Sequence, residues 1–244
     1  MRETENVVEI AGLTKVYQDK TVLKNLNLTV KRGTVFGLLG ANGAGKTTTL
    51  ECILGTKQAE SGAALVFGMD ARKNRKHLFQ KVGVQFQQCD YQPEIRVSEL
   101  CEETACLYKN PADWRELCNR FGIGDKGKSL VKSLSGGERQ RLFIVLALLG
   151  NPSLVFLDEL TTGLDVKARR SVWRILETLK EQGLTILLTS HFMDEVEALC
   201  DEICILKKGQ TVFDGTVAQA KERCGCERFE DAYLALADEE AEEE

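Results

Sequence analysis

Residues 40 to 47 read Gly-Ala-Asn-Gly-Ala-Gly-Lys-Thr, the spacing GxxxxGK[ST]. Such a run can grip a polyphosphate. Gly40, Gly43 and Gly45 let the backbone bend tightly, so that N–H groups along Asn42, Gly43, Ala44 and Gly45 point inward as an anion nest, and a helix opening there adds its positive end. Lys46 is placed to reach the outer phosphates, the Thr47 hydroxyl to ligate Mg²⁺, and Thr48 to donate toward the α-phosphate. A second constellation ends the apolar run Leu154-Val-Phe-Leu at Asp158-Glu159. Asp158 suits Mg²⁺, held through water or Thr47, and Glu159 suits the polarisation of an attacking water as general base. Upstream, Leu134-Ser135-Gly136-Gly137-Glu138 places a serine and two glycines at a helix start. That is another anion site, although a simple N-cap explains the same residues.

These residues need elements to hold them. Val35 to Leu39 is a continuous apolar run feeding the glycines, and Lys46 to Leu54 follows at helical spacing, so a buried strand runs into a helix. Further buried-strand runs stand at Leu154 to Leu157, Leu184 to Leu188 and Ile203 to Leu206, with helical patterns at Glu138 to Leu149, Val166 to Glu181 and Met193 to Leu199. This alternation predicts a mainly parallel sheet covered on both faces. Val7 to Val30 differs, because two alternating stretches, of which Leu26-x-Leu28-x-Val30 is the clearer, predict antiparallel strands with one wet face. Val97 to Lys128 lacks a strand pattern. Asn110-Pro111 and Gly122 to Gly127 break that segment into two short helices, an insert in the α/β core. Phe229, Tyr233, Leu234 and Leu236 suit a short amphipathic helix, and Asp238 to Glu244 is expected to be solvated and disordered.

The 244 residues are 43% hydrophobic and 28% charged, which excludes disordered, collagen-like and membrane-spanning classes and suits one domain with lobes. The longest apolar run, Leu142 to Leu149, is far short of the roughly 18 to 20 residues that cross a bilayer as a helix. Met1 to Asn6 carries acids and no apolar segment, so no secretory signal is expected and the location is cytosolic. Of the formal charge of -5, Glu227 to Glu244 supplies -8 from nine acids and one base, which leaves +3 on the preceding residues. That modest excess makes no nucleic-acid stripe, and no nucleic-acid partner is expected. Nine cysteines, an odd number at irregular spacing, read as reduced thiols. The close pairs Cys200/Cys204 and Cys224/Cys226 are not CxxC, and with His77 and His191 as the sole histidines they argue against structural zinc.

The two nucleotide motifs place the chain among P-loop nucleoside triphosphatases. Leu134 to Arg141 narrows this, because it closely resembles the LSGGQ signature of ATP-binding cassette (ABC) proteins, with Glu138 where Gln is usual. The resemblance runs from about Val7 to Asp214 and implies further roles. Tyr17 looks like the aromatic that stacks on adenine, as its flat polarisable ring allows. Gln87 is similar to the glutamine that contacts Mg²⁺ and the attacking water, chosen over Gln85 and Gln88 by alignment to the family pattern. Asp165, in Gly163-Leu164-Asp165, resembles the D-loop residue at the dimer interface, and His191, after Ile186 to Ser190, resembles the switch histidine that senses the γ-phosphate. The implied catalytic set is therefore Glu159, His191 and Gln87, the implied metal set is Thr47, Gln87 and Asp158, and the cofactors are ATP and Mg²⁺. Leu160 and Ala41 stand where the family usually has proline. Neither position supplies a side chain to the chemistry, so altered loop rigidity with intact catalysis is expected.

The resemblance also implies an architecture and an assembly. The fold is α/β, a P-loop NTPase (RecA-like) core with a mainly parallel sheet, an N-terminal antiparallel β subdomain and an inserted α-helical subdomain. Residues 1–226 form the nucleotide-binding domain with the helical insert at about 88–150, and residues 227–244 form a short helix and acidic tail. Two such domains pair head to tail, as a homodimer, with each ATP between one P-loop and the partner's Ser135, Gly136 and Gly137. A separate integral membrane permease subunit docks near Gln88 to Glu99 and brings the chain to the cytoplasmic face of the cell membrane. The runs around Gly40, His191 and Phe229 resemble exporters of the ABC-2 or drug-resistance type. The alternative is a soluble cassette ATPase of translation or DNA repair, whose second cassette or coiled-coil and zinc insertions this sequence lacks.

Overall fold

The computed structural model describes residues 5–86, 91–92 and 94–238. The chain divides into two compact units, Met1–Leu78 with Leu187–Glu244, and Phe79–Ile186. The first unit is thus built from two separate stretches.

Its first stretch holds β1 (Asn6–Tyr17), β2 (Lys20–Lys31), β3 (Val35–Gly40), α1 (Lys46–Ile53), β4 (Ser61–Val66) and α2 (Ala71–Leu78). Leu26, Leu28 and Val30 are buried while Asn27, Thr29 and Lys31 are exposed, as the alternation predicts. β1 and β2 pair antiparallel with Ile10 opposite Leu28. β4 adds to the other edge of β1, also antiparallel, with Ile10 opposite Ala64. Nothing in Ser61-Gly-Ala-Ala-Leu-Val alternates, so the sequence pattern does not announce this strand. β3 is buried at every residue.

The second unit holds β5 (Val82–Gln85), α3 (Val97–Ala105), α4 (Trp114–Arg120), α5 (Gly136–Leu148), β6 (Leu154–Asp158) and α6 (Val166–Glu181). α3 and α4 are the two short helices expected between Val97 and Lys128, and a 3₁₀ turn at Gly124–Lys126 follows. Asp113 caps α4 by accepting from the Arg115 N–H at 2.9 Å. β5 and β6 run parallel, Val82 opposite Leu154 and Gln85 opposite Leu157. α5 crosses β5 so closely that a Cβ on Gly83 would stand 1.9 Å from the Ala147 carbonyl oxygen, so only glycine fits there.

β7 (Thr185–Thr189) straddles the division, and the chain returns to the first unit through α7 (Met193–Leu199), β8 (Glu202–Lys207), β9 (Gln210–Gly215), α8 (Val217–Cys224) and α9 (Phe229–Asp238). β3 pairs parallel with β8, from Phe36 opposite Glu202 to Gly40 opposite Leu206, and β8 pairs antiparallel with β9. α8 opens with a capping box between Thr216 and Gln219. The amphipathic helix expected from Phe229 is present, with one correction. Phe229, Ala232 and Leu236 form its buried face against Ile203, Ile205 and Phe213, whereas Leu234 is exposed, because the 3.6-residue period turns position 234 away from that stripe. Residues 239–244 of the acidic tail lie outside the described residues. Among the described residues no helix is long and apolar enough to cross a membrane.

Candidate nucleotide site

In the first unit the buried strand β3 ends at Gly40, whose φ is 147°, and the loop turns by a bond from Ala44 N–H to the Ala41 carbonyl at 3.0 Å. Gly45, at φ 113°, is the residue before α1 and offers no side-chain cap. A helix start leaves its first N–H groups without intrahelical acceptors, and here no N-cap side chain covers them. Glycine is required twice. A Cβ on Gly40 would meet the Leu206 carbonyl oxygen at 2.5 Å, and one on Gly45 would meet Leu23 Cδ2 at 2.7 Å. Lys46 is 8% exposed, and its Nζ donates to the carbonyls of Gly40 at 2.6 Å and Ala41 at 3.2 Å, folding over the loop. Thr47 is exposed and Thr48 half-buried, whereas Thr49 turns inward to the Gly45 carbonyl.

A brace behind this loop is not visible in the motif. Gly209, in the β8–β9 turn, donates its N–H to the Ala44 carbonyl at 3.0 Å and accepts from the Lys24 N–H at 2.9 Å. Its φ is 83°, and a Cβ there would stand 2.0 Å from the Val22 carbonyl oxygen. Lys208-Gly209 looks like any turn in sequence, and its role emerges only with the pairing of β3 and β8.

Tyr17 lies at the end of β1, 37% exposed, with Lys15 Nζ 4.9 Å and Lys57 Nζ 6.0 Å from its ring centroid. An aromatic face flanked by two cations suits a base with phosphates attached. Glu60 steadies this strand end by accepting from Lys15 at 2.7 Å and from the Val16 N–H at 2.6 Å, and the Lys15 hydrogen bond holds its carboxyl below the ordinary value. His191 is exposed on the loop after β7. That loop is held from beneath, where Ser190 Oγ donates to the fully buried Glu195 carboxylate at 2.5 Å and accepts from the Phe192 N–H at 3.0 Å. Glu195 therefore positions the histidine loop, a role hidden in sequence among the several acids of α7.

In the second unit Asp158 ends β6 and is 4% exposed, and Glu159 follows in the left-handed region at φ 52°. Strain of this kind at a non-glycine residue must be held by its surroundings. Gln140 of α5 supplies part of that hold, its amide donating to the carbonyls of Glu159 at 3.4 Å and Leu160 at 2.9 Å. Leu160, in place of the usual proline, is fully buried, so packing and the Gln140 bond fix this turn. Gln85 donates to the Asp158 carbonyl at 3.2 Å, and its buried Oε1 has no partner among the described residues. Gln87 and Gln88 lie outside the described residues.

Ser135 caps α5 in a reciprocal capping box. Its Oγ accepts from the Glu138 N–H at 3.3 Å, while Glu138 Oε2 accepts from the Ser135 N–H and from the Ser135 hydroxyl, both at 2.8 Å. Lys126 pairs with the other carboxylate oxygen at 3.0 Å. The Ser135 backbone bond first, then Lys126 and the Ser135 hydroxyl, pull the Glu138 carboxyl down to about 2. Gly136 is open on its side-chain face, and Gly137 packs against Leu164, 3.2 Å from where its Cβ would be. Asp165 caps α6, accepting from the Ala168 N–H at 2.9 Å. By type, the first unit's N–H groups and ammonium suit phosphate oxygens and its Thr47 hydroxyl a hard cation, and the second unit's Asp158 carboxylate suits a hard cation as well.

A buried strand, a glycine loop and a helix whose first turn no side chain closes define a P-loop nucleotide-binding protein. The ABC transporter family pattern matches residues 23–162. The Nod factor export ATP-binding protein I of Ralstonia nicotianae is 37% identical over 214 residues, covering 86% of this chain and 67% of that protein. The daunorubicin/doxorubicin resistance ATP-binding protein DrrA of Streptomyces peucetius is 35% identical over 225 residues, covering 89% and 68%. Among solved structures, an ATP-binding subunit of an ABC transporter superposes with a TM-score of 0.87 at 26% identity over 95% of this chain and all of that one. A dimeric ATP-binding cassette in a post-hydrolysis state with ADP and Pi superposes at 0.77 and 25% identity over 86% and 98%. The chain belongs to the ABC transporter family, as an ATP-binding subunit with the α/β P-loop fold.

Proposed function

We propose that this chain hydrolyses ATP to drive an exporter, pairing head to tail with a second ATP-binding subunit around two ATP and docking a separate integral membrane permease at the cytoplasmic face of the membrane. The observation that carries the pairing is that, among the described residues, two α-helices start at glycines, α1 and α5, and of these α1 alone carries the lysine and threonine of a triphosphate cradle. Two copies set head to tail give each ATP one start of each kind. Lys46, Thr47, Thr48 and the N–H groups of the Gly40 to Gly45 loop hold the phosphates, Lys46 and the Ala44 N–H by giving up their bonds to the loop's own carbonyls, and Tyr17 stacks on the base. Thr47, Asp158 and Gln87 would hold Mg²⁺, which would screen the phosphate charge. Glu159 takes the proton of the attacking water, with Gln87 and His191 orienting water and γ-phosphate. Ser135, Gly136, Gly137 and Asp165 meet the nucleotide held by the partner. The names of the relatives support export.

ATP favours the paired state through contacts made by both subunits, and loss of phosphate removes them. Two measurements test this reading. Glu159→Gln is expected to lower turnover roughly 100-fold or more while ATP still binds, and unchanged turnover would remove Glu159 as the base. Affinity capture from membranes is expected to recover an integral permease, and recovery of ribosomes alone would replace the exporter with a translation role.

A further inference from the structure

The signature start differs from the P-loop start in being filled already. Ser135 has two groups to offer a phosphate, its N–H and its hydroxyl proton, and one oxygen of Glu138 takes both at 2.8 Å. The carboxylate is thus an anion from the chain itself, seated where the resemblance places the phosphate of the partner's ATP. Lys126 balances its charge from the other oxygen. Hydrogen bonds to a carboxylate are roughly twice as strong as those between neutral groups. A phosphate arriving from outside must therefore draw the Ser135 hydroxyl away from an ionised competitor and approach a like charge.

We propose that Glu138 and Lys126 together set the ATP requirement for pairing: Glu138 as a resident competitor for Ser135 that raises it, and Lys126 as the counter-charge that keeps it within reach. The inference rests on the head-to-tail reading above. Glutamine in place of Glu138 preserves both arms of the capping box, since an amide oxygen accepts the same bonds, but removes the charge. A purely structural role for Glu138 predicts no change from that substitution. Lys126→Met leaves the carboxylate without its counter-charge and predicts a shift of opposite sign.

The test uses the full chain carrying Glu159→Gln to slow hydrolysis, titrated with ATP and Mg²⁺ while dimer formation is followed by sedimentation velocity. Adding Glu138→Gln is expected to lower the ATP concentration at half-maximal pairing about fivefold, and Lys126→Met to raise it by a similar factor, with both shifts shrinking at high salt. Pairing of the parent with no shift in either variant, or shifts of the same sign, overturns the proposal and leaves head-to-tail pairing intact. A parent that never pairs overturns the head-to-tail reading, and this proposal with it. Should Glu138→Gln fail to fold, the sign of the Lys126→Met shift decides.

Discussion

Helix α1 begins behind Gly45, which has no side chain to offer its first turn, whereas α5 begins behind Ser135, whose hydroxyl and partner Glu138 close the turn on itself. Both starts are glycine-rich, and both are read as phosphate sites on the same grounds. The first is shaped by glycines at positive φ and braced by the Gly209 N–H on the Ala44 carbonyl, and its cation is folded over the loop. The second is relaxed and satisfied. At the first start the lysine and the Ala44 N–H must leave loop carbonyls to meet an anion, while at the second the cap itself must exchange partners, so under the proposed pairing the two starts differ in cost as well as in position.

The comparison breaks most severely at the open start. Lys46→Ala is expected to reduce ATP hydrolysis by roughly 100-fold or more, because it removes the charged donor aimed at the phosphates, and it should weaken ATP binding measured by fluorescence titration. Gly209→Ala leaves every motif residue in place but drives a Cβ toward the Val22 carbonyl from a left-handed backbone. It is expected to cost about 1–3 kcal/mol of stability and to raise the KM for ATP, both measurable in one preparation by denaturant unfolding and steady-state kinetics.

The smallest effect sharpens the closed start. Glu138 is held below its ordinary value, so its contribution to stability is full above the unfolded value of 4.5 and fades as pH falls toward about 2. Thermal unfolding followed from pH 6 to pH 3 is expected to fall less steeply in Glu138→Gln than in the parent, and parallel curves would show that the carboxylate is not held as described.

Sequence pattern reaches these sites unevenly. The P-loop and the carboxylates after β6 are contiguous, and each sits at a strand end that an apolar run betrays, so residue type and order are enough. Helices such as Val166–Glu181 and Met193–Leu199 match their expected limits because a 3.6-residue period is local information. The supports are different in kind. Gly209 lies far along the chain from Ala44, Gln140 holds the turn at Glu159 and Leu160 from another helix, and Glu195 reaches Ser190 inside a core. Each is an unremarkable residue until strands pair. β4 escapes notice because its outer residues are exposed small side chains with no alternation. Leu234 misleads in the opposite sense, an apolar residue near an apolar face that the helical turn directs to solvent.

The brace at Gly209 also sets a schedule for the newborn chain. The phosphate loop leaves the ribosome early, but its parallel neighbour β8 and the glycine that fixes Ala44 emerge more than a hundred residues later, after the whole of the second unit. At synthesis rates of roughly 5–20 residues per second, the loop waits on the order of ten seconds or more before it can be completed. A chain halted before the β8–β9 turn therefore carries the motif without the bond from Gly209 to Ala44.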